Sequence, residues 1–153
     1  MMEKLQLKIP PVLAAFIIAA AIFMTARAAP VFSLPPLLHR GLLLLAMIGG
    51  GIIAAWALLM MKAANTTINP YNPKQTTVLI EHGIYAYTRN PMYLSLAIGL
   101  LGLCGYWGTL WGVCWVIVFI AFITQFQIIP EEQSLRRHFP RFSDYCHRVR
   151  RWL

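Results

Sequence analysis

The sequence predicts an all-α integral membrane protein with about four membrane-spanning helices, and three observations support this prediction. Apolar residues make up 59% of the 153 residues and charged residues only 12%, whereas a soluble domain carries about a quarter charged residues. The mean hydropathy is +0.63. The charged residues form short clusters between long apolar runs. The length suits a single domain, which we expect to occupy residues 1–153.

The net charge of +8, from 13 Lys and Arg against 5 Asp and Glu, needs an explanation. Because apolar spans divide the positive residues into short clusters, we assign them to membrane orientation and anionic lipid head groups, not to nucleic acid. The three cysteines Cys104, Cys114 and Cys146 show neither CxxC nor metal-ligand spacing. The sequence therefore predicts reduced thiols, with no disulfide framework and no metal site.

The first two apolar runs predict spans at about 11–29 and 41–61. Only Arg27 interrupts the first run, and a signal peptide is the alternative because Ala26-Arg27-Ala28 resembles a cleavage site. The second run has about the 20 residues needed to cross a bilayer core. Its glycines at 49–51 predict close packing against another helix, with a kink or an unwound turn as the alternative.

The polar connection at 62–89 is too irregular to lie in lipid. Long ordered loops on a rigid scaffold often carry function. At its end, Asn90 is a favoured N-cap residue, and Pro91 suits the first helical position because its missing N–H would be unpaired there. We therefore expect a helix to begin at Pro91.

This predicted helix start offers a site for an anion, since its free N–H groups carry partial positive charge and Arg89 adds a full charge beside them. Aromatic faces nearby could hold a nucleobase or a sulfonium cation by stacking and cation-π attraction. They belong to Tyr85, Tyr87 and Tyr93. The alternative is an ordinary basic, aromatic interfacial loop.

Residues 92–129 contain no Asp, Glu, Lys, Arg or His and are about twice as long as one span requires. The Gly-Tyr-Trp-Gly sequence at 105–108 interrupts them, which predicts a helical hairpin with spans at about 91–106 and 109–129. We expect the tryptophans of this hairpin near the far membrane interface. They are Trp107, Trp111 and Trp115.

Four spans place both termini on one side of the membrane, with eleven positive residues there and only Arg27 and Arg40 opposite. This bias predicts a cytoplasmic location for both termini and for the loop before Pro91, in an inner membrane. The eleven residues are Lys4, Lys8, Lys62, Lys74, Arg89, Arg136, Arg137, Arg141, Arg148, Arg150 and Arg151.

Glu131 and Glu132 are adjacent carboxylates at the membrane end of the predicted fourth span. Charge there is costly unless it is neutralised, and Arg89 and His82 are candidates to do so. Gln127 lies one turn before Glu131, which predicts a polar stripe along this helix.

The tail after Arg141 places apolar residues at helical spacing with basic residues mostly on the other side. This pattern predicts a C-terminal amphipathic helix in the head-group region, with a solvated cap on the bundle as the alternative. The apolar positions are Phe142, Tyr145, Cys146, Val149 and Trp152.

Three stretches in the C-terminal half, at 77–93, 130–135 and 138–145, resemble in their order the isoprenylcysteine carboxyl methyltransferase family. That family is similar to the phospholipid N-methyltransferases. The resemblance implies a membrane enzyme that binds S-adenosylmethionine from the cytosol and releases S-adenosylhomocysteine. Its acceptor would be a lipid-like or prenylated molecule arriving from the bilayer, and its cofactor region would comprise 77–93 and 127–145.

The resemblance also implies residue roles. Glu131 would bind the amino group of the cofactor, and Glu131, Glu132 and Arg89 are the candidate catalytic residues. If the acceptor is an amine or a hydroxyl it must lose a proton, for which Glu132 and His82 are the available bases. The implied cofactor contacts are Thr77, Val78, Leu79, Ile80, Tyr85, Asn90, Pro91, Met92, Tyr93 and Glu131.

The chain departs from the family pattern at three positions. Asn90 replaces a histidine of many members, and Pro140 replaces a glycine. Gln127 stands where the prenylcysteine enzymes have an arginine that meets the substrate carboxylate. An amide cannot make that two-pronged charged contact, so we expect Gln127 to contact an acceptor other than a prenylcysteine carboxylate.

The sequence is also compatible with three alternatives to a prenylcysteine-type enzyme. One is a phospholipid N-methyltransferase. Another is a non-enzymatic transporter subunit or lipid-binding scaffold, which gives no reason for paired glutamates. The third is a nicotinamide-dependent membrane reductase, for which 77–93 holds too few Arg and Lys. The sequence does not specify an oligomeric state.

Overall fold

The computed structural model describes residues 9–29, 32–64 and 78–153. Regular structure in these ranges is entirely helical. Thr77, one of the predicted cofactor contacts, lies outside the described residues, as do Lys4, Lys8 and Lys74. The helices are α1 (Pro11–Ala28), α2 (Pro36–Ala63), a 3-10 helix (Gly83–Ala86), α3 (Pro91–Trp107), α4 (Gly112–Ile123), a π-helical segment (Thr124–Ile128), α5 (Ile129–His138) and α6 (Phe142–Arg148).

Three helices in the described ranges are long and apolar enough to cross a membrane. They are α1, α2 and the continuous helix Gly112–His138, which consists of α4, the π-helical segment and α5. The fourth apolar helix, α3, has 17 residues. At 1.5 Å per residue it is about 26 Å long, within the range of spanning helices. The predicted all-α membrane fold is confirmed.

The second helix begins five residues earlier than predicted, at Pro36 instead of 41. His39 therefore lies in its first turn and connects it to the end of α3. The Leu34 N–H donates to His39 Nε2 at 3.0 Å, so His39 Nδ1 carries the proton that it shares with the Gly105 carbonyl at 2.6 Å. A polar residue at this membrane end thus has both ring nitrogens satisfied by the protein.

The α3–α4 connection forms the expected hairpin, and α4 begins at Gly112 instead of 109. Gly108 ends α3 in the left-handed conformation with φ +65, which glycine adopts without a side-chain clash. Trp115 Nε1 donates to Thr25 Oγ1 at 2.9 Å and so ties α4 to the end of α1.

The main core lies between α1, α3 and α4, where Ile22, Phe119 and Ile123 are fully buried. α2 packs on another side of α3, through Gly50. A Cβ built on Gly50 would lie 2.9 Å from the Ser95 backbone oxygen, so only glycine allows this approach. α2 stays helical through all three glycines, so no turn is unwound there, and Gly50 makes the close contact that the sequence predicted.

The last long helix does not end near 129, as the sequence predicted, but continues to His138. Pro130 has no N–H to donate to the carbonyl four residues earlier. The turn before it is π-helical, and the Ile129 N–H donates to the Thr124 carbonyl five residues away. The helix therefore passes Pro130 without breaking and holds both glutamates on a regular turn.

The C-terminal helix is shorter than the predicted amphipathic helix, because α6 ends at Arg148 and Val149 is extended. Phe142, Tyr145 and Val149 form a buried cluster, as the apolar pattern indicated. Trp152 lies beyond the helix and packs against the main core, where its Nε1 donates to Thr124 Oγ1 at 3.1 Å. The end of the chain thus returns to the π-helical segment.

Candidate active site

The first turn of α3 and the first turn of α5 meet through a short hydrogen bond. Tyr93 OH donates to Glu131 Oε1 at 2.6 Å. Tyr93 is buried, while Glu131 keeps partial exposure. Two predicted cofactor contacts that are 38 positions apart in the sequence are therefore in direct contact.

Glu132 lies beside this pair and is held by two arginines. Its Oε1 accepts from Arg151 Nε at 2.9 Å and its Oε2 accepts from Arg151 Nη2 at 2.7 Å, while Arg89 Nη2 forms an ion pair with Oε1 at 3.0 Å. Only 9% of the Glu132 side chain is exposed. A buried carboxylate needs such partners, because the loss of its hydration without them costs roughly several kcal/mol of folding free energy. The hydrogen bonds to Glu132 raise the pKa of Arg151 above its usual value.

The C-terminal segment also pairs with the loop before α3 through its main chain. The Arg89 N–H donates to the Arg150 carbonyl at 3.1 Å. Asn90 Nδ2 and Thr88 Oγ1 both donate to the Arg151 carbonyl, at 2.9 and 3.4 Å. These bonds fix the position of Arg151 against the start of α3.

The predicted N-cap role of Asn90 is wrong, because its side chain makes no capping bond to α3. Its amide donates to the Arg151 carbonyl instead, which the returning chain end brings within reach. The Asn90 N–H donates to Thr88 Oγ1 at 3.2 Å. α3 nevertheless begins at Pro91, as the proline predicted.

At the start of α3, Arg89 has a buried donor nitrogen that lacks a hydrogen-bond acceptor in the described part of the chain. Only 10% of its side chain is exposed. Its Nε has no hydrogen-bond partner within the described residues. Near the first turn of α3 the site thus offers an anion a buried guanidinium donor, and the Glu131 carboxylate stands outside the ion-pair network. Such a pair of groups is complementary to an amino acid zwitterion.

The three tyrosines near the predicted anion site are not equivalent. Tyr93 contacts Glu131, whereas Tyr87 is exposed. Tyr85 packs against Ala57 of α2, and burial raises the pKa of its phenol to about 12. Its carbonyl accepts from Tyr145 OH at 2.7 Å, and burial also raises the pKa of Tyr145. Tyr85 therefore joins α2, the loop and α6.

The remaining predicted contacts surround these groups in different environments. Ile80 and Met92 pack with Tyr85, and Leu79 packs with the Phe142 cluster. Val78 is exposed.

Gln127 does not form a polar stripe with Glu131. It is fully buried, and its Nε2 donates to the Ile9 carbonyl at 2.8 Å, just before α1. Its Oε1 has no partner among the residues that the structure describes. The π-helical segment widens the turn that contains Gln127, so this side chain meets the start of α1 while Glu131 meets α3.

Sequence reasoning missed the site roles of Arg151, Thr88 and Trp152. No local pattern distinguishes Arg151 from the exposed Arg148 and Arg150, and we had assigned all three to the head-group region. Only the return of the chain end to the α3 start identifies Arg151.

An apolar cavity of about 390 Å³ lies between α1, α2 and α3. Its wall on α3 begins at Ser95, one turn after Pro91, and continues to Leu103. Small residues form much of the lining. They include Ala15, Ala19, Gly50, Gly51, Ala54 and Gly99.

The family profile described as phospholipid methyltransferase matches residues 39–141, about two thirds of the chain. The chain belongs to the phospholipid methyltransferase family. This family and the isoprenylcysteine carboxyl methyltransferases form one superfamily, so the resemblance in the C-terminal half is confirmed at that level. The match includes Arg89, Tyr93, Glu131 and Glu132 but ends before Arg151.

Family membership makes this protein an enzyme, an S-adenosylmethionine-dependent methyltransferase of the membrane that acts on lipid. The alternatives of a non-enzymatic scaffold and of a reductase are thereby overturned.

An uncharacterized protein of Haemophilus influenzae is 46% identical over an alignment of 68 residues, and the alignment covers 40% of this chain and 100% of that protein. No solved structure matches the chain.

Proposed function

We propose that this family member binds S-adenosylmethionine where α3 begins and α5 crosses it, and methylates a lipid-borne amine. The observation that carries the proposal is the Tyr93–Glu131 hydrogen bond beside the ion pairs of Arg89 and Arg151 with Glu132. It brings the two predicted halves of the cofactor region, 77–93 and 127–145, into contact.

The residues present suit the amino acid end of the methyl donor. Glu131 provides a carboxylate for its ammonium group. Arg89 Nε, which is buried and lacks a partner in the described part of the chain, provides a donor for its carboxylate near the positive end of the α3 dipole. We retain Thr77, Val78, Leu79, Ile80, Tyr85, Asn90, Pro91 and Met92 as proposed contacts to the rest of the cofactor.

When bound, S-adenosylmethionine supplies a methyl group activated by a sulfonium. The protein's part is then mainly to hold donor and acceptor in line and to exclude water, which can supply most of the rate acceleration. Both oxygens of Glu132 already accept hydrogen bonds from guanidinium groups. We therefore assign Glu132 to holding the arginines and not to removing a proton. His82, the other base that we considered, lies exposed at the start of the 3-10 helix.

The polar contacts favour an amine over a carboxylate as the reacting group of the acceptor. A carboxylate acceptor would require a free cation. Arg151 binds both oxygens of Glu132, the donor on Arg89 Nε is assigned above to the carboxylate of S-adenosylmethionine, and the Gln127 amide donates to the Ile9 carbonyl. In this proposal Gln127 affects the choice of acceptor because its amide is neutral and cannot form an ion pair with a carboxylate.

The apolar cavity supports a lipid-borne acceptor with one hydrocarbon chain between α1, α2 and α3. Its volume lies in the usual range of ligand pockets, roughly 300–1,000 Å³, and its walls are apolar except at Ser95. Its α3 wall starts two residues after Tyr93, so a chain seated there would place the head group at the level of Glu131.

We further propose that the site faces the cytoplasm from the inner membrane. The support is the sequence distribution of positive residues, since the predicted four-span topology puts eleven of them on the side of the α3 start and two on the other. S-adenosylmethionine is a charged cytosolic metabolite, so a site on that side has access to it.

The experiment that tests the function uses the full chain in lipid nanodiscs with methyl-labelled S-adenosylmethionine. We expect label transfer to phosphatidylethanolamine and no transfer to a prenylcysteine analogue. Calorimetry should give a micromolar-range affinity for S-adenosylhomocysteine, about −8 kcal/mol. Efficient methylation of the prenylcysteine analogue would refute the amine assignment. An absence of binding heat would refute the cofactor site.

A further inference from the structure

We propose that Arg151 is a positioning residue for the methyl donor. By occupying both oxygens of Glu132, it keeps the guanidinium of Arg89 available for the donor's carboxylate. This inference depends on the proposed cofactor site. It concerns a residue beyond the family match, which ends at 141.

The two arginines bind Glu132 in different ways. Arg151 uses two nitrogens, Nε at 2.9 Å and Nη2 at 2.7 Å, one on each carboxylate oxygen. Arg89 uses only Nη2, at 3.0 Å, on the oxygen that already accepts from Arg151 Nε. A carboxylate forms its strongest contact with one forked guanidinium. Because Arg151 makes that contact, Arg89 is restricted to a single ion-pair contact with one oxygen of Glu132.

The burial of the two side chains fits this division. Arg151 is 37% exposed and Arg89 only 10%. Water can solvate the remaining donors of Arg151. It reaches Arg89 poorly, and Arg89 Nε has no partner in the described residues. A buried charged donor without a partner is costly, and an anionic ligand at this position would remove that cost.

The main chain fixes Arg151 where this role requires it. Its carbonyl accepts from Asn90 and Thr88, and the Arg150 carbonyl accepts from the Arg89 N–H. Trp152 follows at once and is anchored to Thr124 by a hydrogen bond of 3.1 Å. The backbone contacts therefore do not depend on the Arg151 side chain, and a side-chain substitution tests its charge without removing them.

Loss of Arg151 should act on one part of the ligand only. Glu132 stays buried and needs a forked partner, and Arg89 is the guanidinium within reach. Once Arg89 turns fully to Glu132, its donors no longer face a ligand carboxylate. The ligand's ammonium group, bound by Glu131, should be unaffected. Affinity should fall for ligands that carry a carboxylate and stay nearly unchanged for ligands that lack it.

The test measures the binding of two ligands to the full chain in nanodiscs. The ligands are S-adenosylhomocysteine and its decarboxylated analogue, which keeps the amine. For Arg151→Ala we expect the Kd of S-adenosylhomocysteine to rise about tenfold or more, as for the loss of a charged hydrogen bond, with the analogue within about threefold of wild type. Arg151→Lys keeps the charge but not the fork, so it should show the same selectivity with a smaller change.

Arg150→Ala is the matched control, since this neighbouring arginine is exposed and the substitution keeps the carbonyl that accepts from the Arg89 N–H. Both of its Kd values should stay within about threefold of wild type. Equal losses for the two ligands in Arg151→Ala would show a merely structural role and overturn the inference, as would an unchanged Kd for S-adenosylhomocysteine. If Arg151→Ala does not fold, Arg151→Lys decides by the same comparison. Wild type that binds neither ligand would instead refute the proposed cofactor site.

Discussion

Glu131 and Glu132 are neighbours in the sequence, yet they have different partners because successive helical residues point about 100° apart. Glu132 is directed at the chain end and binds Arg89 and Arg151. Glu131 is directed at α3 and accepts from Tyr93. Glu132 therefore holds two arginines, whereas Glu131 is the carboxylate that we propose binds the ammonium group of the cofactor.

Glu131→Gln should weaken S-adenosylhomocysteine binding more than Tyr93→Phe does. The first change removes the charge that meets an ammonium group, which we expect to cost about 1.5–3 kcal/mol, and the second removes one hydrogen bond, about 0.5–1.5 kcal/mol. Calorimetry in nanodiscs gives both values, with Tyr87→Phe as an exposed control. Equal affinities for wild type and Glu131→Gln would remove Glu131 from the cofactor site.

Gln127→Ala should destabilise the protein while leaving cofactor affinity within about threefold, less than 1 kcal/mol. The substitution removes a fully buried donor and leaves the Ile9 carbonyl without its bond, for a loss of about 1–3 kcal/mol in unfolding free energy. Thermal unfolding in detergent measures this loss. Gln125→Ala, at an exposed position two residues earlier, is the control. A large loss of cofactor affinity in Gln127→Ala would place this residue in the cofactor site.

The helices build the site through two irregular features. The π-helical segment carries the last long helix past Pro130 and directs Gln127 towards α1. Gly50 lets α2 approach the backbone of α3. The contact through Gly50 leaves α1 and α2 on either side of α3, and the apolar cavity lies between them.

Gly51→Leu tests whether the acceptor's chain occupies that cavity. A Cβ at Gly51 has no atom within 4 Å, and Gly51 lines the cavity, so we expect a leucine there to extend into it. We expect the KM for a long-chain lipid amine to rise about tenfold, since the new side chain displaces roughly two buried CH₂ groups. The Kd for S-adenosylhomocysteine should not change.

Gly49→Leu is the matched control for this substitution. Gly49 also has open space around its Cβ position, but it is not part of the cavity lining. Its KM should therefore equal that of wild type. The same rise in both variants, or in neither, would exclude the cavity as the acceptor's location.

The whole chain should cross the membrane so that both of its ends share one side. Reporter fusions at the C-terminus are expected to report the cytoplasm, since eleven of the 13 Lys and Arg fall on that side. Leu153 is exposed, so a fusion there leaves the Trp152 anchor in place. A reporter signal from the opposite side would overturn the topology and separate the site from its cofactor. A fusion in the α3–α4 turn should give the reverse signal.

The sequence by itself determined the features that depend on local chemistry. Long apolar runs must be helical in lipid, because backbone groups find no partner there otherwise, so the number and approximate positions of the helices could be predicted. Pro91 predicted a helix start, and the glycines at 105–108 predicted a hairpin. The resemblance assigned Glu131 and Tyr93 to one cofactor region, and the structure brings these two side chains into contact.

Only the tertiary structure decided which polar groups pair. Asn90 has good capping chemistry, but the chain end offers its amide the Arg151 carbonyl instead. Arg151 looks like any other basic residue of the tail until it meets Glu132. Gln127 and Glu131 are four apart and diverge because of one π-helical turn. Two polar side chains can form a hydrogen bond only if tertiary packing brings them within about 3 Å. The local sequence does not specify which distant segments come that close.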